Sequence, residues 1–206
     1  MELLWHDAAL AVCVKPPGWL AQEGSGPSVP AALRAALGGE VYVIHRLDRP
    51  VGGVMVCART AEAAAFLSAA VRDGRLEKTY LAVLKGAPAS PSGRLEDLLY
   101  HDSRRNKTYV VDRRRRGVRA AALEYETAAA APGAVLVWVR LLTGRTHQIR
   151  AQFAARGAPL WGDGPYGGGK GPLGLWSAAL SFPHPDGRIL SFRRDPPDQM
   201  PWSQFC

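Results

Sequence analysis

Short apolar and β-branched runs, each broken within a few residues by glycine or proline, set the strongest limit on how this chain can fold. Leu3–Trp5 and Ala9–Val14 read as a hairpin across His6-Asp7, closed by the turn Lys15-Pro16-Pro17-Gly18. Val41–Ile44 and Val54–Cys57 are two more such runs, separated by the polar loop His45–Gly53. Thr79–Leu84, Tyr109–Val111, Ala120–Thr127 and Val135–Leu142 follow as a meander, and Ala178–Phe182 and Arg188–Phe192 close the series. Helices are few. Ser28 can cap one that runs to Leu37, where Gly38-Gly39 stops it, and Thr60 can cap an alanine-rich one through Val71, ended by Asp73-Gly74. A third spans His147 to Arg156 before Gly157. Many strands with few helices between them predict an α+β fold, a mixed, mainly antiparallel β-sheet flanked by helices. No repeat and no clean linker divides the chain. Residues 1–194 are therefore expected to form a single domain, and 195–206, with three prolines, an irregular tail.

A chain of 206 residues buries about 70% of its unfolded surface and needs no disulfide or metal staple. With 47% hydrophobic and 21% charged residues, wholesale disorder is excluded. No apolar run approaches the roughly 18 residues of a transmembrane helix, and Met1–Asp7 lacks the basic start of a secretory signal. A soluble, cytoplasmic protein without a membrane partner is the expectation. Cys13, Cys57 and Cys206 lie far apart with no C-x-x-C, which disfavours both a disulfide framework and a zinc cluster. His6, His45, His101, His147 and His184 share no i, i+4 spacing, so no metal is expected.

Charge gives the first positive clue. Lys and Arg number 26 against 18 Asp and Glu, a net charge of +8 that attracts polyanions, nucleic acid above all. Arginine outnumbers lysine, and its planar fork suits phosphate and base edges. A charge that serves solubility alone is the plain alternative. Arg113-Arg114-Arg115-Arg116 is the densest run, either a solvated hairpin tip or a phosphate contact.

Two phosphate-loop lookalikes fail on inspection. Gly162-Asp163-Gly164-Pro165-Tyr166-Gly167 carries the letters of a dinucleotide fingerprint, but Pro165 and the glycines after it prevent the helix that must receive the pyrophosphate. Gly164 to Lys170 spells G-x-x-x-x-G-K, but Gly171 stands where a magnesium-binding Ser or Thr is required. A flexible or RNA-facing loop over Gly162–Gly174 is the expectation. No Gly-x-Ser-x-Gly elbow is present.

Three polar segments beside strand ends remain. In His45-Arg46-Leu47-Asp48-Arg49-Pro50 the two guanidiniums favour the anionic form of Asp48, which suits a nucleophile or weak base better than a general acid. An aspartate capping a turn before proline is the structural alternative. Glu77-Lys78-Thr79-Tyr80-Leu81-Ala82-Val83 enters a strand, and Thr143-Gly144-Arg145-Thr146-His147-Gln148-Ile149-Arg150 is a turn opening a helix.

Together these segments resemble the signatures of the RluA-type RNA pseudouridine synthases. His45-Arg46-Leu47-Asp48 with Gly53 beyond it, Lys78-x-Tyr80, Gly144-Arg145-Thr146-His147-Gln148-Ile149-Arg150, and the opening Cys13-Val14-Lys15-Pro16-Pro17-Gly18-Trp19-Leu20 carry the likeness, which runs from about Leu3 to Phe192. That coverage implies a catalytic domain alone, with a central cleft and without the accessory S4 RNA-binding domain of many relatives.

The resemblance implies isomerisation of uridine to pseudouridine in ribosomal or transfer RNA, with no cofactor, no metal and nothing that demands more than a monomer. By analogy Asp48 is the nucleophile, attacking ribose C1′ or uracil C6 or assisting glycal formation. Arg46 fills the space left by the flipped base. Tyr80 offers an aromatic face and a hydroxyl near the C5 proton, and Arg150 pairs with Asp48 while Ile149 packs under the ring. Arg145 and His147 sit at a helix N-terminus that favours phosphate. Asp48, Tyr80 and Arg150 are thus expected to converge. Singly, Tyr80 reads as well as a core strand residue and Arg150 as a surface helix charge.

Two departures from the family pattern stand out. Val51-Gly52-Gly53 replaces the usual Thr-Ser-Gly, removing two hydroxyls and loosening the loop, and Gln152-Phe153 stands where relatives often place a histidine. The competing reading is a catalytically silent RNA-binding or chaperone module on the same fold.

Overall fold

The computed structural model describes residues 1–205, so Cys206, like the end of the expected tail, lies outside the described residues. Two compact units emerge, Met1–Lys78 with Trp176–Pro196, and Thr79–Leu175 with the closing segment from Pro197.

In the first unit β1 (Glu2–His6) and β2 (Leu10–Lys15) form the expected hairpin, with the Asp7 carboxylate accepting from the N–H groups of Ala9 and Leu10 at 2.8 Å to close its turn. β2 pairs antiparallel with β4 (Gly52–Ala58), and β3, only Tyr42–Val43, pairs with the far end of β4. β10 (Leu175–Pro183) runs parallel to β4 through Trp176 and Ser177, and β11 (Ile189–Arg193) returns antiparallel along β10. Every residue of β2 and β4 is buried. Both helices of this unit start as their sequences predict. Ser28 accepts from Ala31 N–H to open α1 (Val29–Leu37), and Thr60 accepts from Ala63 N–H at 3.1 Å to open α2 (Ala61–Arg72). Ala63 and Leu67 of α2 pack with Leu10, Val12, Val54, Val56 and Phe182 into the core of the unit.

The second unit is a meander in the strand order β5-β9-β8-β6-β7, with β5 at Glu77–Leu84 and β7 at Lys107–Val111. β8 (Val118–Ala131) is longer than the expected Ala120–Thr127, running on through alanines, while β9 (Ala134–Leu141) is displaced by one residue from its expected run. β6 (Ser92–Asp102) was not legible as a strand. Its Arg94, Glu96 and Asp97 hide the alternation in which Leu95 and Leu99 point inward. α3 (Gln148–Ala154) packs Ala151 against Leu99 and Ala121. The tail from Asp195 is irregular up to a 3₁₀ turn at Trp202–Phe205 whose first residue is buried. Among the described residues the architecture is a mixed, mostly antiparallel arrangement of strands with three α-helices.

Gly52, the glycine that departs from the family pattern, is not loose. A Cβ on Gly52 would lie 2.3 Å from Trp176 Cζ3 and 2.9 Å from Pro17 Cδ. The indole, held by its Nε1–H donating to Arg194 O at 2.8 Å, fills the space a side chain would take. Gly52→Ala is therefore expected to lower stability by about 1–3 kcal/mol, the usual cost of overpacking. Adding Trp176→Ala should give back part of that loss, a coupling of about 0.5–3 kcal/mol readable by urea unfolding of the two single variants and the double.

Candidate active site

The polar loop His45–Pro50 descends directly into β4 in the first unit. His45 and Leu47 are buried while Arg46 and Arg49 are exposed, so alternate side chains anchor and project. His45 Nε2 accepts from Val56 N–H at 3.2 Å, which fixes the ring proton on Nδ1. Burial, with Lys78 as a lesser cause, pushes the His45 pKa down to about 3, so the ring is a neutral anchor. Val51 N–H donates to Asp48 O at 2.9 Å and makes Asp48 the first residue of a tight turn.

Lys15 pins that turn from below. Fully buried at the end of β2, its ammonium donates to the carbonyls of Trp19 at 2.8 Å, Pro16 at 3.1 Å and Arg49 at 3.1 Å. All three protons are used, and all three acceptors are backbone oxygens. Burial lowers its pKa to about 8, while the Asp48 charge acts in the opposite direction. The Arg46 guanidinium donates to Gln22 Oε1 at 3.0 Å, and Arg49 Nε donates to Gly18 O at 3.0 Å. The loop 16–22 is therefore stitched to the aspartate loop by Lys15, Arg46 and Arg49 together.

In the second unit Tyr80 lies near the start of β5, buried to 6% exposure. Arg145, His147, Ile149 and Arg150 come together on the turn and first residues of α3. His147, the residue before the helix, takes a left-handed backbone (φ 52°, ψ 24°), which costs about 1 kcal/mol or more for a residue with a Cβ. Its ring is buried rather than presented to solvent, with Nδ1 3.0 Å from the Tyr166 hydroxyl. Arg145 is exposed, its Nε donating to Ala120 O at 3.0 Å, and Ile149 is buried. Gln148 closes the turn by accepting from Arg145 N–H at 3.0 Å and bonding the Thr143 hydroxyl at 2.8 Å.

Arg150 is buried and forked. Its Nε donates to Asp163 Oδ2 at 2.7 Å and its Nη2 to Asp163 Oδ1 at 2.8 Å, with Asp163 itself fully enclosed. Its guanidinium carbon also stands 5.0 Å from the centroid of the Tyr166 ring. Tyr166 in turn accepts from Thr108 N–H at 2.7 Å, and the Thr108 hydroxyl donates to Thr146 O at 2.8 Å. The guanidinium is thus fixed in direction by a carboxylate and an aromatic face.

Asp163 and Tyr166 belong to the segment expected to be a flexible or RNA-facing loop, part of which is closely packed. The stretch from Leu160 is wound tightly on itself: a Cβ on Gly168 would lie 1.7 Å from Leu160 O. Lys15, Asp163 and Tyr166 carry roles that reading along the chain did not assign. A lone lysine ending a wholly apolar strand, and an aspartate between two glycines, were the available signals. Among the described residues no group of His, Cys, Asp and Glu could hold a metal ion, and no helix is long and apolar enough to cross a membrane.

Removing the Asp163 charge breaks the forked pair of a buried guanidinium, so Asp163→Asn is expected to cost about 3–5 kcal/mol in denaturant unfolding. Replacing both partners by apolar groups, Arg150→Met with Asp163→Leu, should recover most of that stability. His45 supplies a pH test. Its folded-state pKa lies below the unfolded value near 6.5, so the unfolded chain binds the extra proton, and stability falls as pH drops from about 6.5 toward 3. His45→Gln, whose amide oxygen can still accept from Val56, should flatten that slope by up to about 1.4 kcal/mol per pH unit relative to the parent.

Comparison with known proteins follows the same lines. Residues 9–155 match the RNA pseudouridylate synthase family. An RNA pseudouridine synthase 2 of Arabidopsis thaliana chloroplasts is 39% identical over 134 residues, covering 62% of this chain and 31% of the relative. The ribosomal large subunit pseudouridine synthase D of Zymomonas mobilis is 29% identical over 97% of this chain and 70% of its own length. This chain thus spans less than a third of the plant protein. The solved structure of human RNA pseudouridylate synthase domain containing 4 superposes with a TM-score of 0.80 at 22% identity, covering 95% of this chain and 88% of that one, and shows the same fold. With most of its length matched, the chain belongs to the RNA pseudouridylate synthase family.

Proposed function

We propose that this protein isomerises uridine to pseudouridine in structured ribosomal or transfer RNA, with Asp48 as nucleophile. One observation supports this most: an aspartate turn pinned by a buried lysine occurs in the same chain as a buried arginine locked by Asp163 and Tyr166. Such fixed charges serve a reaction that must hold a detached base and rejoin it.

The net change is balanced within the nucleotide. The N1–C1′ bond breaks and a C5–C1′ bond forms, the C5 hydrogen leaves as a proton, and N1 gains one. Asp48 serves each route open to a carboxylate, whether addition to C1′, addition to C6 or assistance of glycal formation. Unstacking the target nucleotide costs a few kcal/mol, and Arg46 takes up the space it vacates. Tyr80 packs against the uracil and places its hydroxyl near the departing C5 proton. Arg150 is the fixed cation of the reaction, with Ile149 beneath the base and Arg145 on phosphate. His147 acts through Tyr166, keeping the turn before α3 in its left-handed form.

A silent RNA-binding or chaperone module has no use for an anion in a phosphate-binding surface, where a carboxylate repels the ligand. Tritium release from RNA carrying 5-tritiated uridine separates the two readings. Release by the parent that drops to background in Asp48→Asn is the expected outcome. Release that survives the substitution overturns the role of Asp48, and no release from unmodified RNA that the protein binds overturns the reaction.

A further inference from the structure

The carboxylates of the second unit are largely committed. Glu96 pairs with Arg94, Glu124 with Arg94 and Arg140, Asp97 with Arg156 and Asp163 with Arg150. Arg113, Arg114 and Arg116 are different: all three are exposed, and none has an ion pair among the described residues. Asp112 is exposed beside the run, and Asp102 serves the turn before β7 by accepting from the N–H groups of Arg104 and Arg105 at 3.0 and 3.2 Å.

These cations border an aromatic pair. Tyr100 of β6 and Tyr109 of β7 are direct cross-strand partners, so both rings stand on one face of the sheet. Leu99 and Thr108, their neighbours, point to the other face, toward α3 and its preceding turn. Each tyrosine carries a cation: Arg115 lies 5.0 Å from the Tyr100 centroid and Lys107 lies 5.6 Å from that of Tyr109. Lys107 is also 5.2 Å from the Tyr166 centroid, and Tyr166 is the ring against which Arg150 is packed. A basic, aromatic track therefore leads from the Arg150 cluster, over the β7 edge, toward the β7–β8 tip.

We propose that this track binds the RNA backbone flanking the target nucleotide, a second contact region on the face of β6 and β7 turned away from α3. It rests on the reading of the protein as an RNA-modifying enzyme only for the identity of the strand that lies on it. Unpaired arginines in a row repel one another, and phosphates relieve that repulsion. Tyrosines edged by cations offer the stacking and charge that RNA-binding sheet faces use.

The test reads binding rather than turnover, so it stands or falls apart from the catalytic reading. The probe is a fluorescein-labelled RNA hairpin with a single-stranded 3′ extension, titrated by anisotropy between about 50 and 200 mM KCl. The variant Arg113→Ser/Arg114→Ser/Arg116→Ser leaves Arg115 on Tyr100 in place, and the exposed positions it changes should not move the melting temperature. Expected is about a tenfold weaker affinity at the lower salt and a log–log salt slope shallower by about two, since each phosphate contact carries roughly 0.7–0.9. The control Arg188→Ser/Arg193→Ser/Arg194→Ser removes the same charge from the first unit and should leave the slope unchanged. Equal losses in both variants would show that net charge alone matters and overturn the proposal, as would an unchanged slope in the first. A parent that binds the hairpin but modifies no RNA would sink the catalytic reading and leave this one standing.

Discussion

A guanidinium taken out of water must meet a carboxylate taken out of water with it, and Arg150 and Asp163 meet that demand with two short parallel hydrogen bonds. Much of the second unit is arranged around the requirement. The chain beyond α3 has to double back closely enough to deliver Asp163, which is why Gly168 lies against the Leu160 carbonyl with no room for a Cβ. Tyr166, three residues beyond Asp163, then covers the guanidinium and draws in His147 and Thr108. The left-handed backbone of His147 is held by the ring contacts on either side of it, His101 at 5.9 Å and Tyr166 at 5.8 Å between centroids. Local strain there is offset by packing that the ion pair makes possible.

The first unit solves a related problem by other means. Lys15 has no carboxylate fork, and its charge is met by three backbone carbonyls from two loops. A cation so placed is a spoke: it fixes the loop that carries Asp48 without entering the loop itself. His45, the first residue of that loop, anchors it to β4 in its uncharged form.

Much of this could be read along the chain, because the signals were local. Ser28 and Thr60 cap their helices as short-range hydrogen bonding requires, and the β1–β2 hairpin follows from two apolar runs on either side of a turn. β6 was hidden because the side chains on its open face are charged, and α3 is shorter than its apparent run because Ala155 already ends it. The motif residues Asp48, Tyr80 and Arg150 were legible as types and spacing. Their supports were not. Nothing near Lys15 shows that its amine reaches the carbonyl of Arg49, and the spacing of thirteen between Arg150 and Asp163 matches no helical or strand period. The glycines of the 162–174 segment signalled freedom, whereas in the fold Gly162, Gly168 and Gly174 serve close approach, a distinction only tertiary contacts decide.

The fit of Gly52 beneath the Trp176 indole ties together two stretches of chain that are far apart in sequence. Among descendants of this gene, a side chain cannot be regained at the first position until the ring at the second has shrunk, so the order of substitutions is constrained. A designer transplanting the aspartate loop into a related scaffold inherits the same rule: the first residues of β10 have to travel with it, or the grafted loop meets a strand shaped for another partner.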